Sequence, residues 1–479
     1  MDRLADWRKT KIVCTLGPAS AGPGVLERMI RAGMNVARLN FSHGDHASHA
    51  ETMGRLRAAA RETGRTVGVL QDLAGPKIRL GDIDGPEREL EPGQEVGLVA
   101  GMEAAGEDLP VNYPHLCEDV EPGDRILLAD GLVELKVLAA ESGRVRAKVV
   151  VGGAITSRKG VNLPTTSLRI PAFTDKDRAD LHMGLEHGVD FVAMSFVRSP
   201  QDLEPVLEII NHHTPRPLLI AKIEKPEAVE HLADILAVVD GVMVARGDLG
   251  VEMPLASVPM IQKQVIAQAR RAGRVVITAT QMLRSMIENP RPTRAEAADV
   301  ANAILDGTDA VMLSEESAVG AHPVEAVRVL HNIARSTEPS LDPKPFLREA
   351  FSELLPHTEA SLSRAACWLA EDLEPAAIVA STTSGSTARL IARCRPRQPV
   401  VGMSPAAATC RQLCLSWGVF PAHVTSYRDT DEMFLLTRQW VQDQGLAGSG
   451  DRLIITAGVP VGVPGNTNLL KVLQVDKEG

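Results

Sequence analysis

Eight short apolar runs fill the first two thirds of the chain, and most of them stop on a polar residue able to do chemistry. They read KIVCT (11–15), VARLNF (36–41), VGVLQD (67–72), FVAMSF (191–196), LLIAKIE (218–224), VMVARGD (242–248), VVITATQ (275–281) and AVMLSEE (310–316). Between most of them lie helical stretches that end on glycine, as at MIRAG (29–33) and ARRAG (269–273), the residue suited to the left-handed position after a helix. Helix starts are readable too: Ser199 before Pro200 with Asp202, and Thr174 with Asp177, are capping patterns. Strand, turn, helix, glycine, strand is the unit of a right-handed parallel crossover. Eight such units predict an α/β fold, a (β/α)8 TIM barrel. Active sites in such barrels sit at the C-terminal ends of the strands, so the strand ends are a ready list of candidate site residues.

The rhythm breaks between Gly75 and Pro171, where EVGLVAG (95–101), RILLADGLVELKVL (125–138) and RVRAKVVVGG (144–153) alternate between Pro-Gly, Asp-Gly and Ser-Gly turns. This predicts an antiparallel β domain, a β-barrel, inserted on the face where the site belongs. A mobile lid is its natural role; a structural appendage is the plainer alternative. After about Ser336 the alternation restarts with AAIVAST (376–382), PVVGMS (399–404), FPAHV (420–424) and RLIITAG (452–458). The expected division is a barrel from 1–74 and 172–340, a lid from 75–171, and a C-terminal α/β domain from 341–479.

At 479 residues the chain is long enough for several domains. Its net charge of −10 argues against a nucleic-acid or anionic-membrane surface, while leaving room for a local basic pocket. No apolar run approaches the ~20 residues of a membrane span. The opening MDRLADWRKT has no apolar core and does not read as a signal peptide. Six scattered cysteines lack zinc spacing; Cys410 and Cys414 share a helix face and read as buried thiols, metal or redox chemistry being the alternative. These features fit a reducing cytoplasm.

Chemistry concentrates at the ends of the fifth and sixth runs. Glu224 and Asp248 close neighbouring strands, so both carboxylates reach one point, and two carboxylates completed by water and substrate oxygens suit Mg²⁺. Lys222, two residues before Glu224, shares its face and is suited to stabilise a transferring phosphoryl group. A buried salt bridge is the plain alternative. Arg246-Gly247-Asp248-Leu249-Gly250 offers backbone N–H groups at a helix start, an anion seat or only a turn. Arg38, Asn40 and Ser42 alternate onto one face; Asp72 ends the third run and Arg79 follows. Arg38 and Arg79 can clamp a phosphate, and Asn40, Ser42 and Asp72 can offer oxygens to a cation. His43 either touches a nucleotide phosphate or caps a loop. Thr280 and Ser314 end the last two runs and are weak signals alone.

Taken together these stretches resemble the pyruvate kinase family over essentially the whole length: TKIVCTLGPAS (10–20), GMNVARLNFSHG (33–44), LLIAKIEKPEAV (218–229), VMVARGDLGVE (242–252), TATQML (278–283) and NPRPTRAEAADVANAILDGTDAVMLS (289–314). The resemblance implies phosphoryl transfer from phosphoenolpyruvate to ADP, giving pyruvate and ATP in glycolysis, by a cytoplasmic homotetramer. It implies that Lys222 stabilises the phosphoryl group in flight, that Glu224 and Asp248 hold Mg²⁺ (or Mn²⁺), and that the Gly247 and Asp248 amides hold the substrate carboxylate. Thr280 would assist protonation of the enolate. Arg38 and Arg79 would bind the phosphoryl group, His43, Arg79 and Lys159 would face ADP, and Asp130 would reach the site on lid closure.

Two departures stand out. Family members that need K⁺ bind it through the equivalents of Asn40, Ser42, Asp72 and the carbonyl of Leu73, and carry glutamate in the GP-x-IR turn. Here DLAGPKIRLG places Lys77 there, so its ammonium is expected to replace K⁺ and make K⁺ unnecessary; an exposed lysine with no role is the alternative. In MLSEES (312–317) Glu315 replaces a usual glycine, a change costly only if the position needs positive φ or close approach; a local adjustment is expected.

In the C-terminal domain, Thr382, Thr383, Ser384, Gly385, Ser386 and Thr387 lie between a strand and a helix. Hydroxyls and amides there can bind phosphate, and the family's matching loop takes an effector phosphate; a helix cap is the alternative. The loop GVPVGVPGNTN (458–468) has no basic residue for a second phosphate, which favours a sugar monophosphate or AMP over a bisphosphate, although Arg395 and Arg397 lie nearby. Two other readings of the whole chain are an Mg²⁺-dependent enolate-handling lyase and a non-catalytic metabolite sensor. The lid and the lysine beside the carboxylates disfavour the first, and the intact set Lys222, Glu224, Asp248, Thr280 and Arg38 disfavours the second.

Overall fold

The computed structural model describes residues 8–104, 106–141, 143–166, 168–352, 357–460 and 465–475. All eight apolar runs form strands: Lys11–Thr15, Val36–Asn40, Gly68–Asp72, Phe191–Met194, Leu218–Ile223, Gly241–Ala245, Val275–Ala279 and Ala310–Leu313. They close into a parallel barrel in chain order, the last pairing with the first. Alternation sorts their side chains. Val36, Leu70, Phe191, Ala193, Leu218, Ile220, Val275 and Ile277 fill the barrel interior, while Ala37, Val69, Val192, Leu219 and Val276 pack outward on the helices. Continuing the inward rows upward brings Arg38 and Asn40, Asp72, Ser195, and Lys222 with Glu224 onto the same inner face. The floor of the barrel is apolar and its mouth is charged.

The lid carries a near-closed six-stranded sheet in the order Val161–Asn162, Arg125–Leu128, Val133–Glu141, Arg144–Val151, Glu95–Ala100, Leu109–Val111. It is antiparallel apart from its last pair. It has its own core around Leu98, Ile126, Leu128, Leu135, Val145 and Ala147. Its two connections to the barrel are pinned. At the entry, Gly75 adopts φ +64 and donates its N–H to Asp177 Oδ1 at 3.0 Å; a Cβ there would lie 2.7 Å from the Phe196 ring. Asp177 belongs to the capping box expected with Thr174, which forms. At the exit, Arg198 donates to the carbonyls of Leu168 (2.8 Å) and Ile170 (3.2 Å). The cap expected from Ser199 does not form through its side chain. Asp202 turns back to the N–H and guanidinium of Arg198 instead, because that arginine is needed at the lid exit.

The C-terminal sheet has the order Val419–His423, Val400–Ser404, Ala377–Ser381, Arg452–Gly458, Thr467–Gln474. The first four are the expected parallel strands. The fifth is an antiparallel edge strand, half exposed and so without the apolar run that marks the others. This domain docks beneath the barrel through buried polar contacts. Arg395 reaches Asp309 at 3.0 Å and Arg411 reaches Asp190 at 2.7 Å, and the same two carboxylates accept the N–H groups of Val276 and Val69. Cys410 and Cys414 are buried free thiols, and burial pushes both up, to about 11 and about 12.

Candidate active site

Lys222 is the centre of the barrel mouth. Its Nζ lies 2.7 Å from Glu224 Oε1 and 3.4 Å from Asp72 Oδ1, and it donates to Ser195 Oγ at 2.7 Å. Burial works against its charge, yet Asp72, Glu224 and Asp248 outweigh that and raise its pKa. Glu224 is pushed up by burial and by Asp248, against the pull of Lys222 and of the Phe196 N–H bound to its second oxygen. Burial also pushes Asp72 up, but Lys222 and Arg38 together prevail and hold it below its ordinary value. Arg38 is fixed by Asp72 (2.6 Å) and by the Thr15 hydroxyl (2.8 Å).

No group of three or more His, Cys, Asp or Glu capable of holding a metal occurs among the described residues. The candidate donor set is the pair Glu224 and Asp248, mutually repelling carboxylates beside a lysine. That fits a hard cation that takes its remaining oxygens from water and substrate.

Asp248 sits in the helix Arg246–Glu252, immediately after the sixth strand. Arg246 shapes the turn opposite: it donates to the carbonyls of Thr280 (2.7 Å) and Ala279 (3.2 Å) and pairs with Asp299 at 2.7 Å. Thr280 is held at φ +68, a conformation that costs a non-glycine residue ~1–3 kcal/mol. Its hydroxyl accepts the Gly247 N–H at 2.7 Å and donates to Ala279 O. One of the two amides expected to seat the substrate carboxylate therefore already has a partner.

Two of the oxygens expected at a monovalent cation also have donors. Asn40 Oδ1 accepts the Ser42 N–H at 3.1 Å, and Leu73 O accepts the Ser195 hydroxyl at 2.8 Å. Lys77 is exposed at the mouth, yet its ammonium is lowered by desolvation and by Lys222, with Asp248 and Asp72 pulling the other way. It stands among the charges that define the site. Arg79 donates to the Arg158 carbonyl at 3.1 Å. It shares with Lys77, Asp130, Lys159, Asp248 and Glu252 a cavity of about 280 Å³ between lid and barrel. His43 is exposed; desolvation, then Lys77, Arg79 and Arg38, lower its pKa.

Ser195 is the residue the sequence did not single out. It bridges Lys222 and Leu73, and its only sequence signal is the inward alternation Phe191, Ala193, Ser195. Ser314 heads a short helix through its backbone, its N–H donating to Glu316 at 2.7 Å. Glu315 is exposed and helical with ordinary φ, so the position makes no demand for glycine. In the C-terminal loop, Gly385 adopts φ +83 and donates to Thr382 Oγ1 at 2.9 Å. The Ser386 and Thr387 hydroxyls donate to Glu359. Thr382, Thr383, Ser384 and Thr387 line a cavity of about 80 Å³ with Glu359. Arg395 faces away, toward Asp309 and Gly307 O. Residues 461–464 of the neighbouring loop lie outside the described residues.

Residues 7–327 match the family model described as pyruvate kinase, barrel domain, and residues 360–473 match pyruvate kinase, alpha/beta domain. Among curated proteins, the pyruvate kinase of Geobacillus stearothermophilus is 46% identical over 470 residues, covering 97% of this chain and 80% of that protein. The pyruvate kinase of Clostridium perfringens (strain 13 / Type A) is 43% identical over 474 residues, covering 98% of this chain and 100% of that protein. With the closed barrel, the inserted lid and the lysine–carboxylate mouth in place, the chain belongs to the pyruvate kinase family.

Proposed function

We propose a division of labour among these residues for the reaction that this enzyme carries out, phosphoryl transfer from phosphoenolpyruvate to ADP giving pyruvate and ATP. The observation that carries it is the Lys222 ammonium, held between Glu224, Asp72 and Ser195 at the barrel mouth. Glu224 and Asp248 hold Mg²⁺ (Mn²⁺ as an alternative), which when bound offsets charge on the phosphoryl oxygens. Lys222 stabilises the phosphoryl group as its bond to the enol oxygen breaks and its bond to the ADP oxygen forms. Arg38 and Arg79 bind that group; the Gly247 and Asp248 amides seat the carboxylate. The electron pair left on the enolate takes a proton at the methylene carbon, with Thr280 positioned at that side. His43, Arg79 and Lys159 face the nucleotide, and Asp130 approaches from the lid.

Lys77 supplies the positive charge that K⁺ supplies elsewhere in the family, so the enzyme runs without K⁺. The pull of Asp248 and Asp72 on its ammonium supports this, as do the donors already held by Asn40 and Leu73 O. The test is pyruvate release with Mg²⁺ in buffer free of K⁺ and NH₄⁺, then with K⁺ added. Full activity without K⁺ is expected; activity appearing only with K⁺ discards the role of Lys77, and silence in both discards the site.

The segment Thr382–Thr387 binds the phosphate of an effector, a sugar monophosphate or AMP, a reading supported by the cavity beside it. A helix cap is favoured by one observation, the hydroxyls of Ser386 and Thr387 already given to Glu359. The chain divides at 1–74 with 172–340, 75–171 and 341–479. It works as a homotetramer, consistent with large apolar side chains left exposed at Leu255 and Met260. Free cysteines suit the cytoplasm, and among the described residues no helix is long and apolar enough to cross a membrane.

A further inference from the structure

We propose that Glu252 is a positioning residue, a latch that ties the lid to the helical turn carrying Gly247 and Asp248. Asn162, in the lid strand Val161–Asn162, donates its side-chain N–H to Glu252 Oε1 at 2.8 Å. The same oxygen lies 2.8 Å from Lys225 Nζ, and the two side chains are only 2% and 9% exposed. Lys225 follows Glu224 at the end of the fifth strand. One buried carboxylate therefore joins three pieces: the strand end that bears Glu224, the helix that bears Asp248, and the lid.

Two further observations point the same way. Glu252 stands four residues after Asp248 in the helix Arg246–Glu252, so both lie on one helix face. Its other oxygen is buried without a hydrogen-bond partner among the described residues, so Oε1 alone carries both contacts. A second contact flanks the first. Gly131, at φ +85 in the lid turn with Asp130, faces Val251, from which a Cβ there would stand at an ordinary contact distance of 3.7 Å. The lid thus meets this helix at Glu252, with Gly131 beside Val251. The strand that bears Asn162 pairs with Leu127 and Leu128 and follows Lys159, whose carbonyl accepts the Leu80 N–H at 2.8 Å. Setting Asn162 on Glu252 therefore helps fix Lys159 and Asp130 in the cavity they share with Asp248.

The inference rests on the reading of Gly247 and Asp248 as the substrate-side seat. A contact that fixes the lid against the helix bearing Asp248 acts on the alignment of the reacting groups more than on the first encounter with substrate, so its loss is expected to lower kcat and kcat/KM together. Asn162→Asp sets a second carboxylate against Glu252, and kcat is expected to fall about tenfold, with the KM for phosphoenolpyruvate within about twofold. Glu252→Gln keeps an acceptor for Asn162 and is expected to lose about threefold. The exchanged pair Asn162→Asp with Glu252→Gln restores an amide facing a carboxylate and is expected to return to within about threefold of the parent. Turnover of Asn162→Asp within twofold of the parent, or an exchanged pair no better than Asn162→Asp alone, overturns the latch. If Asn162→Asp does not fold, Asn162→Leu carries the test: lowered kcat with unchanged melting supports the latch, and unchanged kcat overturns it. Lys222→Met run alongside separates the two readings. Dead Lys222→Met with a normal Asn162→Asp removes only the latch; normal turnover in both removes the active-site assignment itself.

Discussion

A single ammonium organises the barrel mouth. Lys222 contacts Glu224 and Ser195 at 2.7 Å and Asp72 at 3.4 Å, so its loss has two separable effects. Lys222→Met removes the positive charge aimed at the transferring phosphoryl group, and turnover is expected to fall by about 10²–10³ or more. It also strands buried carboxylates, an effect of ~3–5 kcal/mol when one partner of a buried pair is removed. Melting should therefore drop and be recovered by a divalent cation, with Mn²⁺ binding by electron paramagnetic resonance largely retained. Normal turnover sinks the role of Lys222. At the rim of the site, Lys77→Glu reverses a charge on which Asp248 and Asp72 act. Activity in K⁺-free buffer is expected to fall by more than about tenfold, the effect of losing ~1.4 kcal/mol of charge stabilisation, and to return when K⁺ is titrated in. A response to K⁺ identical to the parent's refutes the substitution of an ammonium for the ion.

Among the elements, the hinge of the lid is held by Asp177, whose carboxylate serves the Thr174 N–H and hydroxyl and the Gly75 N–H at once. Asp177→Ala removes a helix cap and a hinge contact together and is expected to cost about 1–3 kcal/mol, read from the denaturant midpoint. The KM for ADP is expected to rise because the lid entry is no longer fixed; an unchanged KM would make Asp177 a cap alone. The Thr174–Asp177 box was legible because it is local, three residues of spacing with one geometry. The barrel strands were legible because a strand buried on both faces must be apolar along its length, and the neighbouring ends of the fifth and sixth strands put Glu224 beside Asp248. Elements lacking such pressure were not legible. The edge strand Thr467–Gln474 is half exposed and mixes Lys471 and Gln474 with its apolar residues. Ser199 holds the N-cap position before Pro200 as expected, but without a side-chain bond, while Asp202 is taken by Arg198. Ser195 and Glu252 act through partners far away in sequence, Leu73 and Asn162, and no spacing rule reaches across an inserted domain.

For the whole molecule, the junction between barrel and C-terminal domain is a layer of buried charge, and Lys11 is its most informative member. It is 2% exposed, donates to the Val419 carbonyl at 2.6 Å and lies 4.8 Å from the centre of the Phe420 ring. Burial, helped by Arg8, lowers its pKa from 10.5 to about 7, while Cys414, Glu338 and Asp309 pull more weakly the other way. The folded value lies below the unfolded one, so between pH about 7 and 10.5 the unfolded chain binds more protons. Stability from this group therefore rises with pH across that window and is flat below it. Lys11→Met removes the titration while keeping the buried stem. The stability of the parent minus that of the variant is expected to increase from pH 7 to pH 9, by at most ~1.4 kcal/mol per pH unit. Urea midpoints of both proteins across that range decide it. A difference constant with pH would mean that Lys11 keeps an ordinary lysine pKa, and that the layer joining barrel and C-terminal domain is wetter than its burial implies.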